Sequence, residues 1–497
     1  MKHRLHHILE YARQQMAQAK GKLLYNKEYH SVPEHSNQEP DAEEKQHFSE
    51  QLKAYQHNRP LGPQKTICFA PTRSLYFGFG GKVIPCCFNR DFEYGRWPDM
   101  SVDEIIHSAK RQELQQELDN RNFDKGCQHC RRQIISGNFS GVEALLYDTL
   151  KSNPPAPSEM IFELDNTCNL ACVMCDETFS SKIAKEKHLP QEKSVYDERF
   201  AQQLEPWIPH LKIAKFLGGE PFLVPLHYNI WEKIITINPK CIINLQTNGT
   251  VYMDKIEKLL QRGRFQIGVS IDSLQKERFE QIRKHADFDV VMANLNKFIA
   301  AGRKSGHYIN ISVCPMQQNR YEIPELVQFC NDKGVFVYFN TVYTKGYDLR
   351  ELSSQELEKL SNYYESKLSE LSKNSFLHRR NRRFFKSLTE QIKSWHTKKH
   401  QSEQLHQRSH RMAREAFYEI LAQKLDRHDL KQRLYLHCVQ LPENIMLSTH
   451  QIEMLKGIES EDLQRVLSDH DDRSLKHLLH NFLEEQEIRE TKTYSRF

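Results

Sequence analysis

The chain has 497 residues, room for two or three domains, with 27% charged and 38% apolar residues and a net charge of +5. No apolar run reaches the ~18 residues needed to cross a bilayer, and the opening MKHRLHHILEYARQQ has no apolar core of the kind a secretory signal needs. A cytoplasmic setting with reduced thiols is therefore expected, and the 12 cysteines are too sparse for a disulfide scaffold.

Residues 1–60 read as a helix followed by a loop or linker, broken by SVPEHSNQEPDAEE. From residue 66, SLYF and KVIPCC flank GFGG, which predicts two short strands around a glycine turn. A charged helix is expected over 101–121, followed by KGCQHC, and PPAP at 154–157 marks a boundary. Beyond it, apolar runs at 160–165, 213–217, 241–246, 266–272, 309–315 and 335–340 predict six strands. Amphipathic stretches of helical length, such as FDVVMANLNKFIAAG, lie between most of them. Repeated βα units imply a parallel sheet with right-handed crossovers, here three-quarters of an eight-unit barrel. Past residue 345 the chain reads as helical almost to its end. Residues 373–433 carry 16 Lys/Arg against 6 Asp/Glu, and residues 440–497 carry 12 Asp/Glu against 7 Lys/Arg. Solvated helical faces account for both segments, and a nucleic acid or an acidic partner is the other reading of the basic one.

Two cysteine groups stand out. NTCNLACVMCDE, residues 166–177, places Cys168, Cys172 and Cys175 within eight residues, directly after the first barrel strand. The C-terminal mouth of such a barrel is where its chemistry sits. Three thiolates can hold three irons of a four-iron cluster and leave the fourth open to a chelating molecule, whereas a structural zinc would want a fourth ligand. Upstream, Cys68, Cys86, Cys127 and Cys130 can close either a tetrahedral zinc site or a four-cysteine cluster. Cys87 could replace Cys86, but neighbours on a strand point opposite ways, so one of the two should face the metal. Cys241 and Cys314 lie in apolar strands and read as small core residues.

The triplet, with its x3 and x2 spacing, resembles the signature of radical S-adenosylmethionine (radical SAM) enzymes. FLGGEPFL at the end of the second strand resembles that family's GGEP motif, TNG at 247–249 ends the third strand, and SID at 270–272 ends the fourth. The resemblance implies a [4Fe–4S] cluster on Cys168, Cys172 and Cys175 with SAM bound to it. It also implies cofactor contacts from Gly218, Gly219, Glu220, Asn248, Ser270 and Arg283, and an asparagine after the fifth strand at Asn319. Glu220 would meet the methionine amino group and Arg283 the methionine carboxylate. The upstream segment from TICFAPTRSLYF to KGCQHC resembles the twitch module of the SPASM/twitch subgroup, which implies a second [4Fe–4S] cluster on Cys68, Cys86, Cys127 and Cys130. In that subgroup the module commonly follows the barrel; here it precedes it.

The expected architecture is α/β: a partial (βα)6 TIM-like radical SAM barrel at 154–350, an N-terminal twitch-like iron–sulfur module at 61–153, and a helical C-terminal extension at 351–497. The expected function is that of a radical SAM oxidoreductase. Its 5′-deoxyadenosyl radical would take hydrogen from a biosynthetic metabolite, with a sugar or amino alcohol favoured. A peptide-modifying maturase, an RNA-modifying enzyme and a non-catalytic metal protein that docks a partner are the alternatives. The resemblance implies a flavodoxin- or ferredoxin-type electron donor; neither nucleic acid nor membrane is an expected partner. No catalytic residue beyond the clusters is assigned.

Overall fold

The computed structural model describes residues 42–469, apart from 192, 372, 408–409, 442–443, 448–451, 453–454 and 457, together with positions 472, 475 and 479. The helix expected in the first 40 residues lies outside them. The remainder of the expected linker is instead the helix Ala42–Asn58, because Leu52 and Tyr55 are buried in the main core. The chain forms two compact units, Met1–Trp395 and His396–Phe497.

Among the described residues, the first unit is built on a nine-stranded sheet. Its strands, with two short ones outside the sheet, are β1 (Ser74–Phe77), β2 (Lys82–Ile84), β3 (Gly95–Arg96), β4 (Glu159–Phe162), β5 (Ala171–Cys172), β6 (Ile213–Phe216), β7 (Ile242–Thr247), β8 (Arg264–Ser270), β9 (Arg283–Lys284), β10 (Tyr308–Val313) and β11 (Phe336–Phe339). The order is β11-β10-β8-β7-β6-β4-β1-β2-β3. The six strands expected in the sequence, β4, β6, β7, β8, β10 and β11, run parallel in that order. This is the expected partial (βα)6 TIM-like barrel.

Two of the expected boundaries do not coincide with breaks in the sheet or the core. The upstream segment is not set apart from the barrel, because β1 pairs in parallel with β4, Tyr76 opposite Ile161, and β2 and β3 follow antiparallel. The sheet therefore runs across the boundary expected at 153–154. The boundary expected at 350 falls inside the first unit. There the helix Ser354–Glu370 and the start of the helix Phe376–Gln407 bury Leu357, Leu360, Tyr364, Phe385 and Leu388 in the same core. Asn381 closes the sheet edge: its Oδ1 accepts the Val337 N–H at 3.0 Å and its Nδ2 donates to Val335 O at 2.9 Å. An edge strand left with free N–H groups would invite pairing with another chain. The helix expected over 101–121 is broken into Val102–Ile106 and Ala109–Asp119, since Ser101 and then Ser108 each cap a new start.

Alternation along the strands decides what lies on each side of the barrel. Ile243, Leu245, Phe265, Ile267 and Ile311 belong to the apolar core, together with Trp231 and Leu295 of the covering helices Pro225–Ile237 and Phe288–Ser305. Trp231 stands edge-on to Phe216, Phe222 and Phe265, at 5.4 to 6.2 Å between ring centres. The other face of the same strands is polar. Gln246 Nε2 donates to Ser270 Oγ at 2.8 Å, Ser312 Oγ donates to Gln246 Oε1 at 2.9 Å, and Lys215 pairs with Glu159 at 2.7 Å. A Cβ at Gly268 would meet Gln246 Oε1 at 2.1 Å, so glycine there leaves room for the inward amides.

The second unit has its own core, with Phe417, Leu421, Leu430, Leu434, Cys438 and Leu463 among its buried residues. It departs from the expected all-helical reading. Besides the helices Arg414–Ala422, His428–Cys438 and Ser460–Asp469 it holds an antiparallel pair, β12 (His410–Ala413) and β13 (Asn444–Leu447). No helix among the described residues is long and apolar enough to cross a membrane.

Candidate functional site

The triplet loop leaves β4 at the C-terminal mouth of the barrel. Its backbone is tied down on all sides: Cys168 N–H donates to Ser181 Oγ at 3.1 Å, Ser180 Oγ donates to Leu170 O at 2.7 Å, and Cys175 N–H donates to Cys172 O at 3.1 Å. The short β5 pairs with β9 and sets Cys172 opposite Arg283. Burial pushes all three thiols up, Cys172 to about 11 and Cys175 to about 12, and the charges of Cys168 and Cys172 add to the shift at Cys175. Buried thiols that raise one another's pKa are poor thiolates until a metal supplies positive charge.

Most of the expected cofactor contacts gather around this loop. Gly218 and Gly219 both have positive φ, 79° and 48°. Glu220 is fully buried. Its Oε1 accepts from Thr247 Oγ1 at 2.8 Å and from Phe222 N–H at 3.1 Å, and its Oε2 accepts the Asn248 N–H at 2.7 Å. Burial raises its pKa to about 7 against the pull of those donors and of the Arg283 charge. Asn248 Nδ2 donates to Asn169 Oδ1 at 2.9 Å and lies 3.9 Å from Cys168 Sγ. Ser270 is held by Gln246. Arg283 Nη2 pairs with the buried Asp272 at 2.8 Å, and its Nη1 lies 3.8 Å from Cys172 Sγ. Its Nε is buried without a hydrogen-bond partner, a donor left over for an anion. Asn319 is turned onto backbone: it donates to Asp272 O at 2.8 Å and to Cys314 O at 3.0 Å and accepts the Met316 N–H at 2.7 Å.

The upstream cysteines line one cavity, shared with Asn89, Gly126, Glu143 and Tyr147. Their electrostatics are joint: Cys130, Cys86 and Cys127 all raise Cys68, and Cys127 raises Cys130, in each case beneath a larger effect of burial. Backbone N–H groups turn toward the sulfurs, with Ala70 N–H 3.3 Å from Cys68 Sγ, and with Phe88 and Asn89 on Cys86 and Ala144 and Glu143 on Cys130. Asn89 Nδ2 donates to Cys127 Sγ at 3.4 Å. Such donors favour thiolate, the ligating form. Cys87 is not in the cavity; it packs with Tyr76, Ile84 and Ile161, its Sγ 3.7 Å from Glu143 Oε1. Among the described residues no group of three or more His, Cys, Asp or Glu forms a ready site for a single metal ion. The chemistry of four mutually coupled thiols around a cavity fits a larger iron–sulfur cluster.

Three participants were not legible in the sequence. Asp272 is the second half of the Arg283 pair, and the SID motif alone does not mark it. Asn89 is a lone polar residue in a loop, and nothing local marks it. Cys314, expected in the core, is half-buried, and its thiol feels the charges of Asp272, Arg283, Cys172 and Cys175.

Comparison with known proteins finds two domain matches. Residues 163–330 match the radical SAM superfamily, and residues 68–131 match the iron–sulfur cluster-binding SPASM domain. The chain therefore carries a radical SAM domain and a SPASM-type iron–sulfur cluster-binding domain. Its cofactors are accordingly a [4Fe–4S] cluster, SAM and auxiliary iron–sulfur. Curated relatives include the probable GTP 3′,8-cyclase of Methanocaldococcus jannaschii, 26% identical over 35% of this chain and 55% of that protein. The GTP 3′,8-cyclase of Saccharophagus degradans is 26% identical over 40% of this chain and 60% of its own. The chain thus spans little more than half the length of these relatives. Solved structures with similarity include Streptococcus suis SuiB bound to precursor peptide SuiA, at 16% identity over 48% of this chain and 52% of that one, with a TM-score of 0.34. Native anSMEcpe with bound AdoMet matches at 19% identity over 42% of this chain and 60% of that one, with a TM-score of 0.33.

Proposed function

We propose that this radical SAM enzyme is an oxidoreductase that acts on a small, polar biosynthetic metabolite, a sugar or amino alcohol, in the reducing cytoplasm. We assign the SAM-binding cluster to Cys168, Cys172 and Cys175 and the auxiliary cluster to Cys68, Cys86, Cys127 and Cys130, with 154–350 as the catalytic segment and 61–153 as the auxiliary one. When bound, these groups supply a one-electron reductant, a 5′-deoxyadenosyl radical and a second electron carrier.

The observation that carries the reading is a set of charged groups beside the four-thiol cavity. Glu143 lines the four-thiol cavity, and its charge acts on Lys215, which pairs with Glu159 on the inner face of β4 and β6. Lys215, Glu159 and Glu143 form a file of groups able to hold and pass a proton beside the auxiliary site. A net oxidation of an alcohol must dispose of a proton as well as of electrons. Gln246, Ser270, Ser312 and Asn310 present hydroxyls and amides inward, suited to orienting a hydroxylated substrate. At the triplet, Glu220 suits an ammonium, and the spare Nε of Arg283 suits a carboxylate. The names of the cyclase relatives, which point to a soluble phosphorylated metabolite, support a small polar substrate.

The test is an anaerobic screen of reduced holoprotein against sugars, cyclitols and amino alcohols, reading 5′-deoxyadenosine above the uncoupled background and a carbonyl product. Stimulation by peptides alone would replace this reading with that of a maturase.

A further inference from the structure

Asn89 stands between the two pairs of upstream cysteines. It forms an antiparallel bridge with Cys86, and its buried side chain lines the cavity of the four thiols. Nδ2 donates to Lys125 O at 2.8 Å and to Cys127 Sγ at 3.4 Å, and Oδ1 accepts the Phe92 N–H at 3.2 Å. The two backbone partners settle which end of the amide is which: reversed, Oδ1 would face a carbonyl and Nδ2 an N–H group. The group that reaches Cys127 is therefore a donor by the geometry of the loop. Gly126 gives the amide room. A Cβ there would stand 2.2 Å from Asn89 Oδ1, and the residue holds φ at 78°.

Bonds to Lys125 and Phe92 are what a loop-holding asparagine needs; the second amide hydrogen on Cys127 is not. A neutral thiol is a weak acceptor, whereas a donor to an ionised acceptor forms a bond roughly twice as strong as a neutral one. The contact thus suits a metal-bound Cys127 thiolate. The donors to Cys68, Cys86 and Cys130 described above are backbone N–H groups, which remain whatever side chain is present. Asn89 supplies a donor that a substitution can remove.

We propose that Asn89 is a positioning residue of the auxiliary cluster held by Cys68, Cys86, Cys127 and Cys130, and that its N–H···S bond to Cys127 sets that cluster's reduction potential. The inference rests on the ligand assignment made above. The couple is the cluster taking up one electron, with the amide proton staying on nitrogen. Reduction makes the cluster and its thiolates more negative, so a donor to sulfur stabilises the reduced state and raises the potential. Removing the donor lowers it and leaves a poorer acceptor for a substrate electron.

The experiment uses full-length, anaerobically reconstituted holoprotein, wild type and Asn89→Leu, which keeps the side chain's shape without its polar ends. Iron and zinc analysis is followed by an EPR-monitored redox titration, the auxiliary signal being the one that added SAM leaves unchanged. The expected result is unchanged iron and an auxiliary reduction equilibrium about tenfold weaker, a shift of about −59 mV for a one-electron couple. An unchanged potential with iron intact would overturn the proposal and leave the ligand assignment standing. If Asn89→Leu loses the cluster, the wild type decides. With heavy nitrogen in the asparagine side-chain amides, pulsed EPR should show a coupling to the label on the auxiliary signal, and its absence overturns the proposal. The amide of Asn248, 3.9 Å from Cys168 Sγ, would couple to the other signal, the one that SAM changes. Zinc or no metal at the four cysteines of the wild type would instead bring down the ligand assignment itself, and Asn89's role with it.

Discussion

A Cβ atom on Gly219 would stand 2.3 Å from the carbonyl oxygen of Thr167, and the residue holds φ at 48°. The same carbonyl accepts the Glu220 N–H at 2.8 Å. Glycine at this position therefore lets the GGEP turn dock on the loop that presents Cys168, one residue further on. The resemblance read in the sequence makes both glycines cofactor contacts. The close approach in the structure is between two backbones, and it orients both the cysteine loop and the Glu220 carboxylate.

Gly219→Ala should accordingly act on the triplet site before it acts on the fold. The left-handed backbone alone costs ~1–2 kcal/mol for a residue with a Cβ, and Thr167 must also move. The expected outcome is a protein that keeps its auxiliary cluster, loses iron from the triplet cluster and melts several degrees lower. Iron analysis and EPR after reconstitution measure this. Full occupancy of both clusters with normal SAM binding would contradict the role given to the contact.

Replacing Cys168, Cys172 and Cys175 together by Ala should take the iron content from about eight to about four per chain, if each site holds a four-iron cluster. Reductive cleavage of SAM to methionine and 5′-deoxyadenosine should vanish with it. Wild-type turnover in the triple variant would place the cofactor elsewhere.

Glu220 gives a pH prediction. Its folded pKa is raised to about 7 from an ordinary 4.5, chiefly by burial. The fold thus favours the protonated form, so this group's stabilisation is fully present below about 4.5 and is lost as pH rises through about 7. The melting temperature of metal-free wild type should fall across that window more than that of Glu220→Gln. An ammonium reverses the preference by favouring the carboxylate, so SAM binding near pH 6 should release a proton. Calorimetry in two buffers of different ionisation enthalpy reads that proton directly. Binding with no proton exchange would mean that Glu220 does not meet the amino group.

The barrel was the most legible part of the chain. Each strand from β4 to β11 in the main sheet is a short apolar run, and the intervening helices carry a clear apolar stripe, so local pattern and tertiary role coincide. The junction of β1 with β4 was hidden because Leu75 opposite Met160 and Tyr76 opposite Ile161 are pairings across more than 80 residues, and no local pattern encodes them. The pair β12 and β13 was missed for another reason: HRMA and NIML are four-residue stretches inside a strongly helical context. At the site, cysteine spacing and glycine motifs could be read directly, since few residue types do those jobs. Asp272 and Asn89 could not, because an aspartate and an asparagine acquire meaning only from the partner that folding places beside them.

The last prediction separates the two clusters by role. Cys127 opens the helix Gln128–Ile135, accepts from Asn89 Nδ2 and lines the cavity. Its thiol is raised to about 11, mainly by burial, so its ligation depends on the metal. Cys127→Ala should remove or degrade the auxiliary cluster and leave the triplet cluster, more than 40 residues downstream in sequence, able to bind and cleave SAM. Because β1 to β3 share the barrel sheet, the upstream segment is buttressed by β4 and should stay folded better than a free-standing metal module, for which metal binding is folding energy. Circular dichroism and melting should therefore show a cooperative fold with a reduced melting temperature. In that folded variant, 5′-deoxyadenosine should still form while oxidised product is lost. Product formed at the wild-type rate would make the auxiliary cluster a structural element, and loss of SAM cleavage in a folded variant would mean that the two sites are not independent.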